Sequence, residues 1–429
     1  MSFTRSKIQA LLDKFLFPFF QIAIKCGSPF LAALIVFPLL IRINGKKGKR
    51  LLFLDRSIFR SDLDAMARFS GRIQYVGLQR KFLKALVNRH LGRVPVTEFS
   101  YHNDDQLKLI RRQIRADMKR FFIVLQKLVK FDGIITCNFG YLDQQEIFPV
   151  ARDKGWPVIV FYKEGLLPEF QLRELFRKYR KKRLNCDLLL CYNRSIKMLF
   201  ENPDLPRASK TRFVSVGIPR LDRYKGLASA PSDGGLVLFS FFPDDKILHA
   251  GLSENQRQFI YCVSEEFHKN VVQFAIENPA VNVVIKTKVD KKYLIYVEQI
   301  AKSHFGPIKS IKNLIITNTG SSYDYILKSK YVLGWQSTAL LESVLATRAT
   351  ACPFLPDWFK KENELVRTDL GFVNEIGSFS ELSAWIQNAD QSQAAFKKNE
   401  KKALEEILFT TNFDASVRAE EEILKEIYG

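Results

Sequence analysis

From residue 49 onward, short apolar runs alternate with stretches whose apolar residues follow helical spacing. The runs are rich in Val, Ile, Leu and Phe, which is typical of strands buried on both faces of a parallel sheet. Alternation of such strands with helices predicts βαβ units. In the first half of the chain the predicted strands are KRLLFLD, IQYVGLQ, GIITCN, VIVFYKEG, CDLLLCYN and RFVSVGIP.

A stretch rich in Gly, Ser, Ala and Pro, KGLASAPSDGG, interrupts this pattern at residues 225–235 and indicates a linker. The alternation restarts after it with LVLFSFF, NVVIKTK, NLIITNT, YVLGW and TACPFL. A chain of 429 residues is also too long for one typical core. We therefore predict an α/β protein with two doubly wound, Rossmann-like domains facing a cleft. The predicted segments are 49–225, a linker at 226–235, 236–390, and helices in 391–429 that pack back towards the first domain.

The amino-terminal residues 1–48 contain a strongly apolar stretch at 15–43. Lys25 and Pro29 divide it into two pieces, each shorter than the ~20 residues of a spanning helix. Three alternatives fit: an in-plane or re-entrant helical anchor, one true span, or a pair of core helices. Because each piece is too short to span a bilayer and the two basic flanks give no preferred side, we expect the first, a membrane-associating segment on the cytoplasmic leaflet.

The chain carries 66 Lys and Arg against 45 Asp and Glu, a formal net charge of +21, which indicates a polyanionic partner. Residues 1–50 hold nine Lys or Arg and one Asp, and residues 173–183 hold seven basic residues and one Glu. We expect an anionic membrane surface, although a solvated helix face explains 173–183 equally well. Nucleic acid is not an expected partner, since no helix-turn-helix, zinc-finger or RNP pattern occurs.

Six Cys fall mostly in apolar runs without CxxC spacing, which predicts buried, reduced thiols and a cytoplasmic location. No metal-ligand spacing is present, and Asp244 with Asp245 is a weak metal candidate at best. We expect no metal or cofactor, and a location on the cytoplasmic face of the inner (plasma) membrane.

Ligands of open α/β sheets bind beyond the carboxyl ends of the strands. After YVLGW, either Ser337 or Thr338 is predicted to cap a helix whose start binds an anion such as a diphosphate. Glu342, one turn further on, would then reach a ribose hydroxyl. The alternative is that Ser337 is only a cap and Glu342 only a solvated or ion-paired side chain.

Two other strand ends of the second domain carry polar residues. Lys286 and Lys288 are two residues apart and would lie on one side of an extended chain, where two cations suit a phosphate. Ser240 ends LVLFSFF, where a small hydroxyl would let a phosphate approach.

In the first domain, Glu164 follows VIVFY and is a candidate general base, or alternatively a charge favoured at a helix start. The run VSVGIPRLDRY contributes Gly217, Arg220 and Asp222 just before the linker. Arg220 would clamp an anion between the domains, and an interdomain salt bridge with Asp222 is the equal alternative.

These motifs, Gly-Ile-Pro-Arg-Leu-Asp from Gly217, the strand end at Lys286, and G-x-x-S-T-x-x-x-E from Gly334, resemble the GT-B group of surface-polysaccharide glycosyltransferases and glycerophosphotransferases. The resemblance implies a nucleotide-activated donor on the second domain and an acceptor on the first. The resemblance implies that Ser337 and Thr338 contact the donor phosphates and that Gln336 beside them binds the donor. It further implies Glu342 at the sugar or ribose, Lys286 at the nucleotide, and Glu164 as catalytic base.

Two departures from the group's motifs bear on the chemistry. Relatives with cytidine-activated donors often show K-x-H-P where this chain has Lys286-Thr287-Lys288-Val289, and His-Gly where it has Glu164-Gly165. The first departure does not favour a cytidine-activated donor. The second favours a carboxylate over an imidazole as the catalytic base.

The resemblance implies a membrane-associated glycosyltransferase that moves a sugar from a nucleotide-activated donor to a lipid-linked or surface-polysaccharide acceptor, as in capsule or lipopolysaccharide synthesis. The alternatives are a glycerophosphotransferase of the same fold, a non-hydrolysing UDP-sugar 2-epimerase, and an inactive scaffold.

Overall fold

Two sheets organise the chain, one in each of two structural units. In the computed structural model, unit 1 comprises Met1–Gly165, Leu172–Arg223 and Glu406–Gly429, and unit 2 comprises Leu166–Gln171 and Tyr224–Glu405. The structure describes residues 3–43, 45, 48–92, 94, 96–97, 100–163, 169–180, 184–206, 210–227, 232–243, 253–335, 337–358, 373–393 and 404–429.

The sheet of unit 1 has the strand order β1-β3-β2-β4-β5-β6-β7, and every pairing is parallel except that of β1 with β3. Consecutive residues of the central strands are buried, which is typical of a parallel sheet covered on both faces. The predicted strands of this half are confirmed, and β1 is an addition that the apolar stretch concealed. The strands are β1 (Ile41–Ile43), β2 (Lys49–Asp55), β3 (Ile73–Gln79), β4 (Gly133–Thr136), β5 (Val158–Tyr162), β6 (Leu188–Cys191) and β7 (Arg212–Ser215).

The helices of this half of the chain differ from the predicted ones at some ends. The sequence predicts a helix over residues 61–70 with Ser61 as its cap, but that helix begins at Ser57 and Ser61 lies inside it. The sequence also predicts one long basic helix from about Asn103 to Lys130, but this helix begins at Lys108, since a short helix and a 3₁₀ turn precede it. The helices are α1 (Phe3–Lys25), α2 (Pro29–Val36), α3 (Ser57–Phe69), α4 (Arg80–Leu91), α5 (Ser100–Asn103), α6 (Lys108–Val129), α7 (Ile147–Asp153), α8 (Glu169–Tyr179) and α9 (Arg194–Glu201).

The amino-terminal apolar stretch forms two helices that pack on unit 1. It is divided as predicted, since α1 ends at Lys25 and α2 begins at Pro29, with Ser28 as its cap. The inner face of α1 packs on α4, where the rings of Phe20 and Phe82 lie 4.8 Å apart. Among the described residues, no helix has both the length and the apolar character needed to cross a bilayer.

Unit 2 contains a fully parallel sheet with the strand order β10-β9-β8-β11-β12-β13. The five predicted strands are confirmed, and the short, polar β13 is the one that the pattern missed. The strands are β8 (Gly235–Phe239), β9 (Val283–Lys286), β10 (Leu314–Thr317), β11 (Ser329–Gly334), β12 (Ala349–Pro353) and β13 (Asn374–Ile376), and the helices are α10 (Glu254–Glu277), α11 (Lys291–Phe305), α12 (Ser322–Lys328), α13 (Thr338–Leu345) and α14 (Phe379–Gln393).

The last helix, α15 (Ala415–Tyr428), belongs to unit 1. Its first turn is capped by the buried carboxylate of Asp222, which accepts hydrogen bonds from the backbone N–H groups of Ala415 (3.2 Å) and Ser416 (2.7 Å). Further along, buried Glu420 accepts a hydrogen bond from the hydroxyl of Tyr75 at 2.8 Å. Burial raises the pKa of both carboxyl groups.

Candidate functional site

Three neighbouring strands of unit 2 end side by side and bring several predicted residues together. Phe239 of β8 is in register with Lys286 of β9 on one side and Gly334 of β11 on the other. The backbone N–H of Ser240 donates to the carbonyl of Lys286 at 2.9 Å. Since neighbouring strands are about 4.8 Å apart, Lys286, Ser240 and the segment after Gly334 share one carboxyl edge.

Lys286 is buried at this edge, with 9% of its surface exposed. Its ammonium donates to the carbonyl of Thr287 at 2.6 Å, a neutral partner. Burial lowers the pKa of Lys286. Within the described part of the chain, no carboxylate lies at ion-pair distance from Lys286, so its charge is not compensated there. A buried, uncompensated cation beside a strand end is a feature of anion-binding sites.

The hydroxyl of Ser240 contacts a buried histidine of α10. His268 Nδ1 donates to the carbonyl of Ser264 at 2.6 Å, and its Nε2 lies 2.9 Å from Ser240 Oγ. Burial lowers the pKa of His268 to about 4, so the ring is neutral near pH 7 and its Nε2 accepts the Ser240 proton. Ser240 therefore presents only lone pairs to a ligand, whereas the sequence suggested a phosphate contact.

The helix that follows β11 begins as predicted. Ser337 is the N-cap of α13, and its hydroxyl oxygen accepts from the backbone N–H of Ala339 at 3.2 Å. Thr338 is the first helical residue and is half-buried. The helix start thus directs N–H groups and a positive dipole end towards the carboxyl edge of this sheet. Gln336, the neighbouring candidate, lies outside the described residues.

Glu342 lies one turn into α13 and is buried rather than solvated, with 8% of its surface exposed. Its Oε2 accepts a hydrogen bond from the hydroxyl of Tyr224 at 2.8 Å. The ring of Tyr224 in turn contacts that of Tyr323, at 5.2 Å between centroids. Tyr224 was not predicted from the sequence, and its partner lies 118 residues further along the chain.

Lys288 does not share the environment of Lys286. Strand β9 ends at Lys286, so the alternation expected to place both lysines on one side does not continue. Lys288 is exposed, and its ammonium lies 5.2 Å from the ring centroid of Tyr293. Lys292 lies close to the rings of Tyr293 and Phe242. These contacts form a basic, aromatic border beside the strand end.

The predicted residues before the linker have partners within unit 1. Arg220 lies 3.3 Å from the carboxylate of Asp62, which is 1% exposed, and donates to the hydroxyl of Tyr192 at 2.9 Å. Asp222 caps α15. Gly217 has a φ of +88°, and a Cβ there would lie 2.8 Å from the Thr410 side chain, so backbone conformation and packing both require glycine.

The carboxyl edge of the unit 1 sheet carries further cations to which the sequence motifs do not point. Arg60 bonds to Asp55 at 2.6 Å, and Arg80 forms a two-point ion pair with Asp143. The Arg80 guanidinium also lies 3.8 Å from the ring centroid of Tyr141. A surface cavity of about 310 Å³ opens here, lined by Arg80, Lys84, Val87, Asn88, Tyr141, Leu142 and Asp143. Asp55 and Gln79 are the last residues of β2 and β3, so the tendency of ligands to bind beyond strand ends already points to Arg60 and Arg80.

Glu164, the candidate base, and Asp244 with Asp245 lie outside the described residues. Elsewhere in the described chain, no group of three or more His, Cys, Asp or Glu side chains is arranged to hold a metal ion. None of the six cysteines, all of which lie in the described part of the chain, forms a disulfide; four are buried, whereas Cys26 and Cys262 are exposed.

No protein-family model matches the chain. No curated protein matches it either. Several solved structures, however, resemble this chain.

A putative UDP-N-acetylglucosamine 2-epimerase from Listeria monocytogenes has a TM-score of 0.50 at 10% identity, covering 89% of this chain and 97% of its own. The UDP-GlcNAc 2-epimerase from Neisseria meningitidis, bound to UDP-GlcNAc, has a TM-score of 0.48 at 12% identity, covering 88% and 100%. A glycosyltransferase from Rickettsia africae has 0.45 at 10% identity, covering 89% and 99%. At these identities the likeness concerns the fold alone, and the chain shares with the Listeria protein an α/β fold with parallel sheets of the GT-B type.

Proposed function

We propose that this chain is a glycosyltransferase that uses a nucleotide-activated sugar, with the donor bound at the carboxyl edge of the unit 2 sheet. The observation that carries the proposal is Lys286, a buried cation with a neutral carbonyl as its partner. Leaving a charge in this state is unfavourable unless an anion compensates it in the functional complex. A nucleoside diphosphate supplies that anion.

The surrounding residues have complementary roles in this proposal. The start of α13, capped by Ser337, offers backbone N–H groups to the phosphates beside Lys286. Ser240, with its proton held by His268, accepts a hydrogen bond from a hydroxyl or N–H of the donor. Glu342, oriented by Tyr224, accepts from a hydroxyl of the ribose or sugar.

The transfer step needs a general base in addition to these donor-binding groups, and we propose Glu164 for it. Glu164 takes the proton of an acceptor hydroxyl, whose oxygen attacks the anomeric carbon of the sugar. The bond from that carbon to the phosphate oxygen breaks, and the nucleoside diphosphate leaves with the electron pair, stabilised by Lys286 and the α13 start. Leaving-group stabilisation by these groups needs no metal ion, so we expect transfer to persist in EDTA.

On the acceptor side, we propose a lipid-linked or surface-polysaccharide glycan handled at the cytoplasmic face of the plasma membrane. The support is the resemblance of the Gly217 and Gly334 motifs to enzymes of surface-polysaccharide synthesis and the basic excess of residues 1–50. A glycerophosphotransferase would use the same donor edge.

The fold also favours a second candidate, a non-hydrolysing UDP-sugar 2-epimerase, because the Listeria structure is described as a putative enzyme of that class. The two candidates differ in product. A transferase releases a nucleoside diphosphate and extends an acceptor, whereas an epimerase changes the configuration at C2 of the sugar. Incubation with UDP-GlcNAc, followed by separation of the nucleotide products, distinguishes them.

Isothermal titration with UDP, CDP, GDP and ADP tests the donor site. We expect one of these nucleotides to bind, and Lys286→Met to weaken its binding by about 10-fold to 100-fold, since a charge-assisted hydrogen bond contributes ~1.5–3 kcal/mol. Lys302→Met, which removes an exposed lysine of α11, is the matched control and should bind as the parent protein does. If no nucleoside diphosphate binds, or if Lys286→Met binds unchanged, the proposal is wrong.

A further inference from the structure

Helices α1 and α2 expose a continuous apolar face on unit 1. In α1 the exposed apolar residues include Leu11, Phe15, Phe19 and Ile22, at spacings of four, four and three that place them on one side of the helix. Phe15 is 66% exposed, and its ring lies 5.6 Å from that of Phe19. Phe30 and Leu34 of α2, which packs directly against α1, are 59% and 40% exposed.

This outer face is not needed to hold the helices on the protein. The inner face of α1 contributes Phe20, Ala23 and Ile24, all buried, and α2 contributes buried Ala32 and Val36. These residues belong to the core of unit 1. The helices are therefore attached through one face while an equally apolar face meets solvent, and such surfaces mark interaction sites.

Charge identifies the partner. Lys14 and Lys25 are exposed on α1, eleven residues or about three turns apart, and thus lie on the same side of the helix. Arg42 is also exposed, and the acid of this region, Asp13, is bound by Lys81 of α4. Long lysine side chains beside an apolar stripe reach lipid headgroups while the stripe enters the acyl boundary. A second copy of the chain would instead bring like charges together.

We infer that the α1–α2 face docks in the plane of an anionic lipid bilayer, with Phe15, Phe19 and Phe30 inserted at the boundary between headgroups and acyl chains. The inference rests on the proposed function for its biological setting, since it names the bilayer as the surface from which unit 1 meets a lipid-linked acceptor. Docking itself is a property of α1 and α2 and involves no residue of the donor edge.

Flotation of the full chain with vesicles tests the inference. We expect co-flotation with vesicles of phosphatidylglycerol and phosphatidylcholine, weaker binding to phosphatidylcholine alone, and loss of binding as salt rises. The Phe15→Ser/Phe19→Ser variant should lose at least 10-fold in partition coefficient, and Lys14→Gln and Lys25→Gln about 5-fold each on the anionic vesicles. Met198→Glu, which alters an equally exposed apolar residue on α9, is the matched control and should bind as the parent does.

Nucleotide titration of the same variants, without vesicles, separates this inference from the proposed function. The Phe15→Ser/Phe19→Ser variant should keep the parent affinity for the nucleotide, which also shows that it is folded. The inference is overturned if the parent protein binds neither vesicle, if the phenylalanine variant floats as the parent does, or if the parent is a dimer that this variant converts to a monomer.

Discussion

The carboxyl edges of the two sheets carry cations in opposite electrostatic states. In unit 1, Arg60, Arg80 and Arg220 each pair with a carboxylate of the same unit. In unit 2, Lys286 is bonded to a carbonyl, and Ser240 to a neutral imidazole. Among the described residues, these three cations of the first edge are compensated without a ligand, whereas Lys286 at the second edge has no carboxylate at ion-pair distance. The ion pairs of the first edge stabilise the fold, and under the proposed function the donor phosphates supply the anion for the second.

The largest expected effect comes from breaking the compensated network of unit 1. Asp62→Ala leaves the nearly buried Arg220 without its carboxylate and Tyr192 without its acceptor, and should lower the free energy of unfolding by about 3–5 kcal/mol. Urea unfolding followed by circular dichroism measures it. Asp62→Asn keeps an acceptor for Tyr192 and should lose less. A surface ion pair contributes at most about 1 kcal/mol. If the unfolding free energy of Asp62→Ala lies within that amount of the parent value, the ion pairs at this edge do not stabilise unit 1 as we infer.

Lowering the pH should change the stability of the two units in opposite directions. The pKa of buried His268 is about 4 when folded against about 6.5 when unfolded, so the unfolded chain binds more protons between these values. The stability that His268 contributes to unit 2 is thus lost as pH falls from about 6.5 to 4, on the order of 3 kcal/mol.

The buried acids of unit 1 respond in the opposite direction. The pKa values of Asp222 and Glu420 are raised by burial, so their contribution is fully present in acid and is lost as pH rises through the raised values. Hydrogen exchange from pH 7 to 4.5 should show α10 losing protection before α15 does. Faster loss in α15 would show that the sign is wrong.

Replacing single cations in the ligand-free protein tests whether the two edges differ in charge compensation. Lys286→Met removes a desolvated charge and should leave thermal stability unchanged or raise it by about 1 kcal/mol. Arg80→Met, by contrast, leaves the buried carboxylate of Asp143 unpaired and should destabilise unit 1 by about 2 kcal/mol. Differential scanning calorimetry of both variants reports the difference. Equal losses would mean that Lys286 is compensated after all.

The smallest expected effect is at the helix start of unit 2. Ser337→Ala removes the acceptor for the Ala339 N–H and should cost about 1 kcal/mol of stability, while Ser337→Asp should retain the cap. The aspartate, however, places a negative charge beside the proposed phosphate position. Titration should therefore find that Ser337→Asp binds the nucleotide more weakly than Ser337→Ala, and the reverse order would place the phosphates elsewhere.

Periodicity predicted most of the strands, the helices of unit 2 and the cap at Ser337, because these features depend on residues close together in the chain. Two short strands escaped it. Ile41–Ile43 lies at the end of the apolar stretch at 15–43 and has no separate strand pattern, and Asn374–Ile376 is too polar to be recognised as a strand.

The contacts that define the candidate site could not be predicted in the same way. Asp62 and Arg220 are 158 residues apart, and Tyr224 and Glu342 are 118 apart. His268 lies in the middle of a helix, where its spacing is that of an ordinary core residue. Lys286 is buried because β9 ends at that residue. The two-residue spacing of Lys286 and Lys288 does not indicate where the strand ends.

The attachment of α15 to unit 1 has a consequence for biosynthesis. Tyr75 and Asp222 obtain their partners from residues 415–420, so these contacts form only after that segment has left the ribosome. The strands of unit 2 are all translated earlier and can form their sheet during elongation. A nascent chain stalled before residue 415 would thus contain the strands of both sheets, but Tyr75 and Asp222 of unit 1 would still lack their partners.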